Sequence, residues 1–199
     1  MAPHKFLPYL AISQTIYQFF ASIIIDSTSV FVADSRLYVN QYLPFLTSVL
    51  SSVYKNIIIF LHNIPIIVII ALCFQVPIKF TMAALFFLPV LVLFLVFSSF
   101  IIACVCTRYR DLVQIVQSLM NISFLVTPIM WQLSSVPEQY QAYFFISPLT
   151  AFLEIYRNSL LGMDINPLAY VSASGWTTLL FALMVYTHQK FERRIVFWI

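Results

Sequence analysis

From Phe80 to Thr107 the chain carries no charged residue. As a helix rising about 1.5 Å per residue, such a segment exceeds the roughly 30 Å of a hydrocarbon core. Residues 80–106 therefore read as a membrane-spanning helix, with Phe86, Phe87, Phe94, Phe97 and Phe100 along it. Pro89 removes one backbone donor, so a kink is expected there. The rest of the chain obeys the same constraint. Its residues are 62% hydrophobic and 9% charged, against about 25% charged in a soluble domain, so lipid is its main solvent. The fold class that follows is an all-α polytopic membrane protein, organised as a single transmembrane domain over residues 1–199.

Four further segments complete the reading. Residues 7–33 form a first apolar run containing Asp26. A carboxylate in a span marks a functional candidate, although the adjacent Ser27, Thr28 and Ser29 suit an interfacial position equally well. Residues 45–74 hold a span at about 56–74, with Lys55 snorkelling to the inner boundary and His62 placed for an interhelical hydrogen bond. An apolar run continues from Leu112 to Trp131, and a last span occupies about 168–187. This gives about five transmembrane helices. The passage 132–149 is too polar and proline-broken to cross as a helix, and 150–162 is too short. Together they read as a short re-entrant helix pair on the outer side before the last span.

Charge placement sets the orientation. Arg36, Arg108, Arg110, Lys190, Arg193 and Arg194 fall in gaps on one side; Lys5, Lys79 and Arg157 fall on the other. The bias puts the C-terminus in the cytoplasm. Five spans then put the N-terminus outside. Met1 to Lys5 contains no leader to carry it across, which leads to the expectation that a preceding span is missing.

Catalytic chemistry is not written into the chain. With Gly162 and Gly175 its only glycines, no phosphate-cradling loop can be built. His4, His62 and His188 are too scattered for a metal site, and Cys73, Cys104 and Cys106 lack zinc spacing. No basic block interleaved with aromatics points to nucleic acid. What stands out instead is polar placement within apolar segments. Gln114, Gln117 and Asn121 recur at i, i+3 and i+7 on one helical face, which suits a lumen or helix–helix hydrogen bonding equally. Glu154 and Arg157, at i and i+3, are spaced to form a structural pair.

Arg108-Tyr109-Arg110-Asp111-Leu112, then Thr127-Pro128-Ile129-Met130-Trp131, then Ser147-Pro148-Leu149 and Glu154-Ile155-Tyr156-Arg157 resemble, in this order, the type 2 ABC transporter permeases. Within them the match is to the branch exporting lipid-linked polysaccharides such as O-antigen, capsule and teichoic acid. The basic tail Phe191 to Trp198 is similar to that branch too, as are Tyr17-Gln18-Phe19-Phe20, Arg36-Leu37 and Tyr42-Leu43-Pro44. The family usually has Asn where this chain has Ser147, and the family's N-terminal amphipathic helix and first span have no counterpart here.

The resemblance implies a multi-pass subunit of a bacterial cytoplasmic (inner) membrane exporter. It implies a homodimer whose separate ABC ATPase subunit binds ATP and magnesium, with no cofactor held by this chain. Arg36, Tyr38 and Tyr42 in the 34–44 segment, with Arg108, Arg110 and Asp111, would form the cytoplasmic coupling surface. Gln114, Gln117, Asn121, Trp131, Tyr140, Tyr143 and Phe144 would line the path or its exit, the aromatics competing with a role as interfacial anchors. A type 2 exporter of a drug or lipid, and a truncated non-transporting membrane fragment, are the alternatives.

Overall fold

The computed structural model describes residues 3–35, 38, 44–75 and 82–195, with only the backbone of 3–5, 83 and 192–194. Among the described residues every regular element is helical. They are α1 (Pro3–Ser27), α2 (Val30–Ala33), α3 (Phe45–Cys73), α4 (Met82–Arg108), α5 (Leu112–Val126), a 3₁₀ turn at Leu133–Ser135, α6 (Glu138–Phe144), α7 (Pro148–Leu161) and α8 (Pro167–Ile195). Four stretches are long and apolar enough to cross a membrane: Phe6–Ser27, Phe45–Cys73, Ala84–Arg108 and Pro167–Phe191. The shorter α5 makes a fifth passage between the two ends of the bundle. The chain is a multi-pass membrane protein.

Ring and hydrogen-bond contacts fix the helix directions. Phe19 meets Phe60 and Asp26 meets Asn56, so α1 and α3 are antiparallel. Phe87 meets Tyr170, Phe97 meets Phe181, and Phe100 meets His188, so α4 and α8 run side by side in parallel. α1 lies at the centre, packed on α3, α4, α5 and α7. Its Phe20 sits against Phe94 of α4 and Phe152 of α7, all three buried. Such aromatic pairs contribute about 0.5–1.5 kcal/mol each beyond area burial. The outward faces stay apolar, with Leu61, Ile66, Ile69, Phe86 and Val171 exposed, as suits a surface wetted by hydrocarbon.

Local chemistry shifts three expected boundaries. The run 7–33 breaks after Ser27, where Ser27 and Thr28 donate their hydroxyls to the Ile23 and Ile25 carbonyls at 2.5 and 2.7 Å. The Leu112–Trp131 run is helical only to Val126. Thr127 precedes Pro128 and is extended, with ψ 138, because a proline ring disfavours helical backbone in the residue before it. Finally, His62 turns back on its own helix, its Nδ1 lying 2.9 Å from the Ile58 carbonyl oxygen, and among the described residues the expected interhelical bond is not made.

The α6–α7 pair dips into the bundle and returns. Ser172 donates to the Phe145 carbonyl and Trp176 Nε1 donates to that of Ile146, the latter at 2.8 Å. Their acceptors lie at the elbow between α6 and α7. Since α8 begins at Pro167, the elbow sits roughly 8–13 Å inside that end of the bundle, by helical rise. Pro148 occupies the first turn of α7, where its missing N–H costs nothing. Gly162 ends α7 with φ 64, and Met163 N–H closes onto the Asn158 carbonyl at 2.9 Å, a Schellman-type stop.

Candidate functional site

Where α4 passes into α5, Arg108, Tyr109, Arg110 and Asp111 are all exposed. Tyr109 N–H donates to Val105 O at 2.9 Å, and Leu112 N–H to Tyr109 O at 3.1 Å, which makes this a tight, fixed turn. The Arg108 guanidinium lies 5.3 Å from the Tyr109 ring centre. Tyr38 belongs to the same end but faces inward, 4.5 Å from Phe45 and 6.2 Å from Phe31 between ring centres. Burial raises its phenol pKa above the ordinary value. Tyr38 thus fastens its segment to the bundle and offers no ring to a partner. Arg36 and Tyr42 lie outside the described residues.

Asp26 finds its partners across the α1–α3 contact. Lys55 Nζ donates to Asp26 Oδ2 at 2.6 Å, and Asn56 Nδ2 donates to the same oxygen at 2.9 Å. The carboxylate is therefore paired one residue before α1 ends. That geometry gives the interfacial account of Asp26 a direct physical basis.

α5 presents three arcs. Met120, Ser123 and Phe124 pack on α1, where Tyr17 Oη donates to the Met120 carbonyl, lies 2.8 Å from Ser123 Oγ, and sets its ring 5.3 Å from Phe124. Ile115, Leu119, Ile122 and Val126 form an exposed apolar arc. Between these lie Gln114 and Asn121, exposed, and Gln117, half-buried. Among the described residues these three amides have no hydrogen-bond partner. They lie on the flank of α5 beside its α1 contact, and helix–helix bonding among the described residues does not account for them.

At the opposite end a polar network ties α1, α5, α7 and α8 together. The carbonyl of Pro128, freed where α5 stops, accepts Arg157 Nη1 at 2.7 Å and Tyr9 Oη at 3.4 Å. Tyr9 Oη also donates to Trp131 O at 3.1 Å, and the Arg157 guanidinium lies 4.4 Å from the Tyr9 ring centre. Arg157 Nε donates to Asn158 Oδ1 at 3.2 Å. Glu154 Oε1 accepts the Asn166 N–H at 3.1 Å, and Asn166 Oδ1 accepts Leu168 N–H at 3.0 Å, capping α8.

Glu154 and Arg157 share a face of α7 and feel each other's charge, but they make no direct ion pair. Backbone groups hold each of them instead. This corrects the expected pairing: two fixed backbone groups from neighbouring elements take the bonds that helical spacing alone assigns to the partner side chain. The network borders an open cleft of about 740 Å³.

The aromatics do not converge on that cleft. Trp131 meets Phe144 with ring centres 5.2 Å apart, while Tyr140 and Tyr143 are exposed on α6. Tyr9, Asn158 and Asn166 carry the network and escaped the sequence reading. A Tyr in an apolar run gives no signal. The Gly162 stop followed by Asn166-Pro167 does mark a capped loop.

Residues 5–161 match the family model described as ABC-2 type transporter. That is most of the chain. It belongs to the ABC-2 type transporter family. A curated relative, the O-antigen export system permease protein RfbA of Klebsiella pneumoniae, is 24% identical over 184 residues, covering 88% of this chain and 70% of that protein. As an ABC-2 permease, the chain is the membrane subunit of a transporter. The matched domain is the membrane domain and holds no nucleotide-binding part. Among the described residues no group of three or more His, Cys, Asp or Glu side chains is placed to hold a metal ion.

Proposed function

We propose that this permease moves a lipid-linked polysaccharide, O-antigen or a similar glycan, outward across the bacterial cytoplasmic membrane as a homodimer powered by a separate ABC ATPase. The observation that carries the reading is the α5 stripe. Three amides that find no partner among the described residues, along the flank of a membrane-crossing helix, are costly against lipid. A second copy facing the first would join two such stripes into a polar path. The likeness to a protein named as an O-antigen export permease supports a glycan as the cargo.

In this reading α1 begins at the outer face and the C-terminus lies in the cytoplasm. The exposed Arg108–Asp111 turn meets the ATPase, as does the 34–44 segment, which is largely outside the described residues. ATP and magnesium are held in that partner. Nucleotide binding there moves the two turns and shifts the copies of α5 relative to each other, a rigid-body or shear transition. The re-entrant α6–α7 pair, carrying Tyr140, Tyr143 and Phe144 with Trp131 beside it, borders the exit.

The test is export in cells. Removing the chain is expected to abolish surface glycan and to leave lipid-linked glycan on the inner leaflet, both restored by the wild-type chain. An ATPase subunit is expected to co-purify in mild detergent and to be lost with Arg108→Glu. Unchanged surface glycan in the strain lacking the chain contradicts the reading.

A further inference from the structure

Resting on the export reading above, we propose that the cleft beside Arg157 and Glu154 is a binding site for a neutral sugar unit of the transported glycan. Three polar side chains on its wall are nine-tenths or more buried: Glu154 at 5%, Arg157 at 3% and Asn158 at 8% exposure. Their positions are set by bonds to Pro128 O, Asp164 O and the Asn166 N–H, so the wall is built before any ligand arrives. Those bonds use Arg157 Nε and Nη1 and Glu154 Oε1. Arg157 Nη2 and Glu154 Oε2 have no hydrogen-bond partner among the described residues. Both residues line the open cleft.

The chemistry of the wall selects the ligand class. One guanidinium and the two carboxyl groups of Glu154 and Asp164 line the cleft. Acidic side chains outnumber the basic one there, which disfavours a phosphate or carboxylate. An acyl chain or apolar drug would cover the free donor and acceptor without replacing their water bonds, at a desolvation cost. A sugar hydroxyl is both donor and acceptor. Adjacent hydroxyls can take a bond from the guanidinium and give one to the carboxylate, both strengthened by charge. Ser134 and Gln141 add neutral partners on the same wall. The volume of about 740 Å³ lies within the ~300–1,000 Å³ range of small-molecule sites.

The experiment is ligand protection in the purified full chain in lipid nanodiscs. Ser134→Cys is introduced together with Cys73→Ser, since Cys73 is the exposed native thiol. Maleimide labelling is then timed with glucose, rhamnose or N-acetylglucosamine at millimolar concentration, and with inorganic phosphate or choline as charged probes. At least one sugar is expected to slow labelling severalfold while both charged probes leave it unchanged. Glu154→Gln preserves side-chain shape and the bond from Asn166, and is expected to remove most of the protection at an unaltered melting temperature. No protection by any of the three sugars overturns the site. So does protection by phosphate or choline, or protection that survives Glu154→Gln. Unchanged surface glycan in the strain lacking the chain overturns the export reading and leaves a measured sugar protection standing. Intact export without protection overturns the site alone.

Discussion

Arg157 donates to the carbonyl of Pro128 at 2.7 Å across 29 positions of sequence. This bond is the consequence of ending α5 early. Pro128 forces Thr127 out of the helix, a carbonyl inside the bundle loses its helical partner, and a buried guanidinium from α7 replaces that partner. Tyr9 adds its hydroxyl to the same oxygen and its ring to the cation. Irregular backbone inside a membrane protein needs such compensation, and the re-entrant pair is docked by it.

Arg157→Leu is therefore expected to destabilise the chain by about 1.5–3 kcal/mol, the usual worth of a hydrogen bond from a charged group, with the Tyr9 hydroxyl left as the carbonyl's longer partner. Arg157→Lys restores part of this, because one ammonium can reach the carbonyl but cannot also bond Asn158 in the same plane. Thermal melting in a fixed detergent checks both variants. Equal stability of Arg157→Leu and wild type would contradict the docking role.

Gly162 holds φ 64 at the end of α7. Gly162→Ala forces a Cβ into left-handed backbone and is expected to cost about 1–2 kcal/mol, with Asn at this position costing less. The loss should appear in melting temperature and in faster proteolysis of the α7–α8 loop. A silent Gly162→Ala would show that the left-handed stop is not what sets the loop.

The Asp26–Lys55 pair is partly open to solvent, with side chains 35% and 59% exposed. A double-mutant cycle on Asp26→Asn and Lys55→Gln is expected to give a coupling below about 1 kcal/mol, as for exposed ion pairs. The exchange Asp26→Lys with Lys55→Asp should recover most of the stability either single reversal loses. A coupling of several kcal/mol would place the pair in a far drier setting than this geometry describes.

The spans were legible because length and apolarity alone decide a membrane crossing, and Phe80–Thr107 leaves no alternative. The re-entrant pair was legible from what it lacks, being too broken and too short to cross. The site was harder to read. The i, i+3 spacing of Glu154 and Arg157 placed them correctly on one buried face, but their partners are backbone groups that only the fold brings near. Tyr9 looks like any aromatic in an apolar run. Tyr38, expected on a surface, is turned inward by Phe31 and Phe45, a preference that periodicity in a short segment does not record. The α5 stripe was visible as a pattern. Its direction required knowing that Tyr17 claims the adjacent side of the helix through Met120 and Ser123, which leaves the stripe on the flank.

That direction is the centre of the functional account, and solvent access measures it. Cysteine is placed singly at Asn121, on the polar stripe, and at Leu119, on the exposed apolar arc, in a Cys73→Ser chain assembled with its ATPase in membranes. A membrane-impermeant thiol reagent is expected to label Asn121→Cys and to leave Leu119→Cys unlabelled, with labelling at 121 changing when the ATPase binds nucleotide. If the two positions react alike, or neither reacts, the stripe does not border a polar path and the account fails.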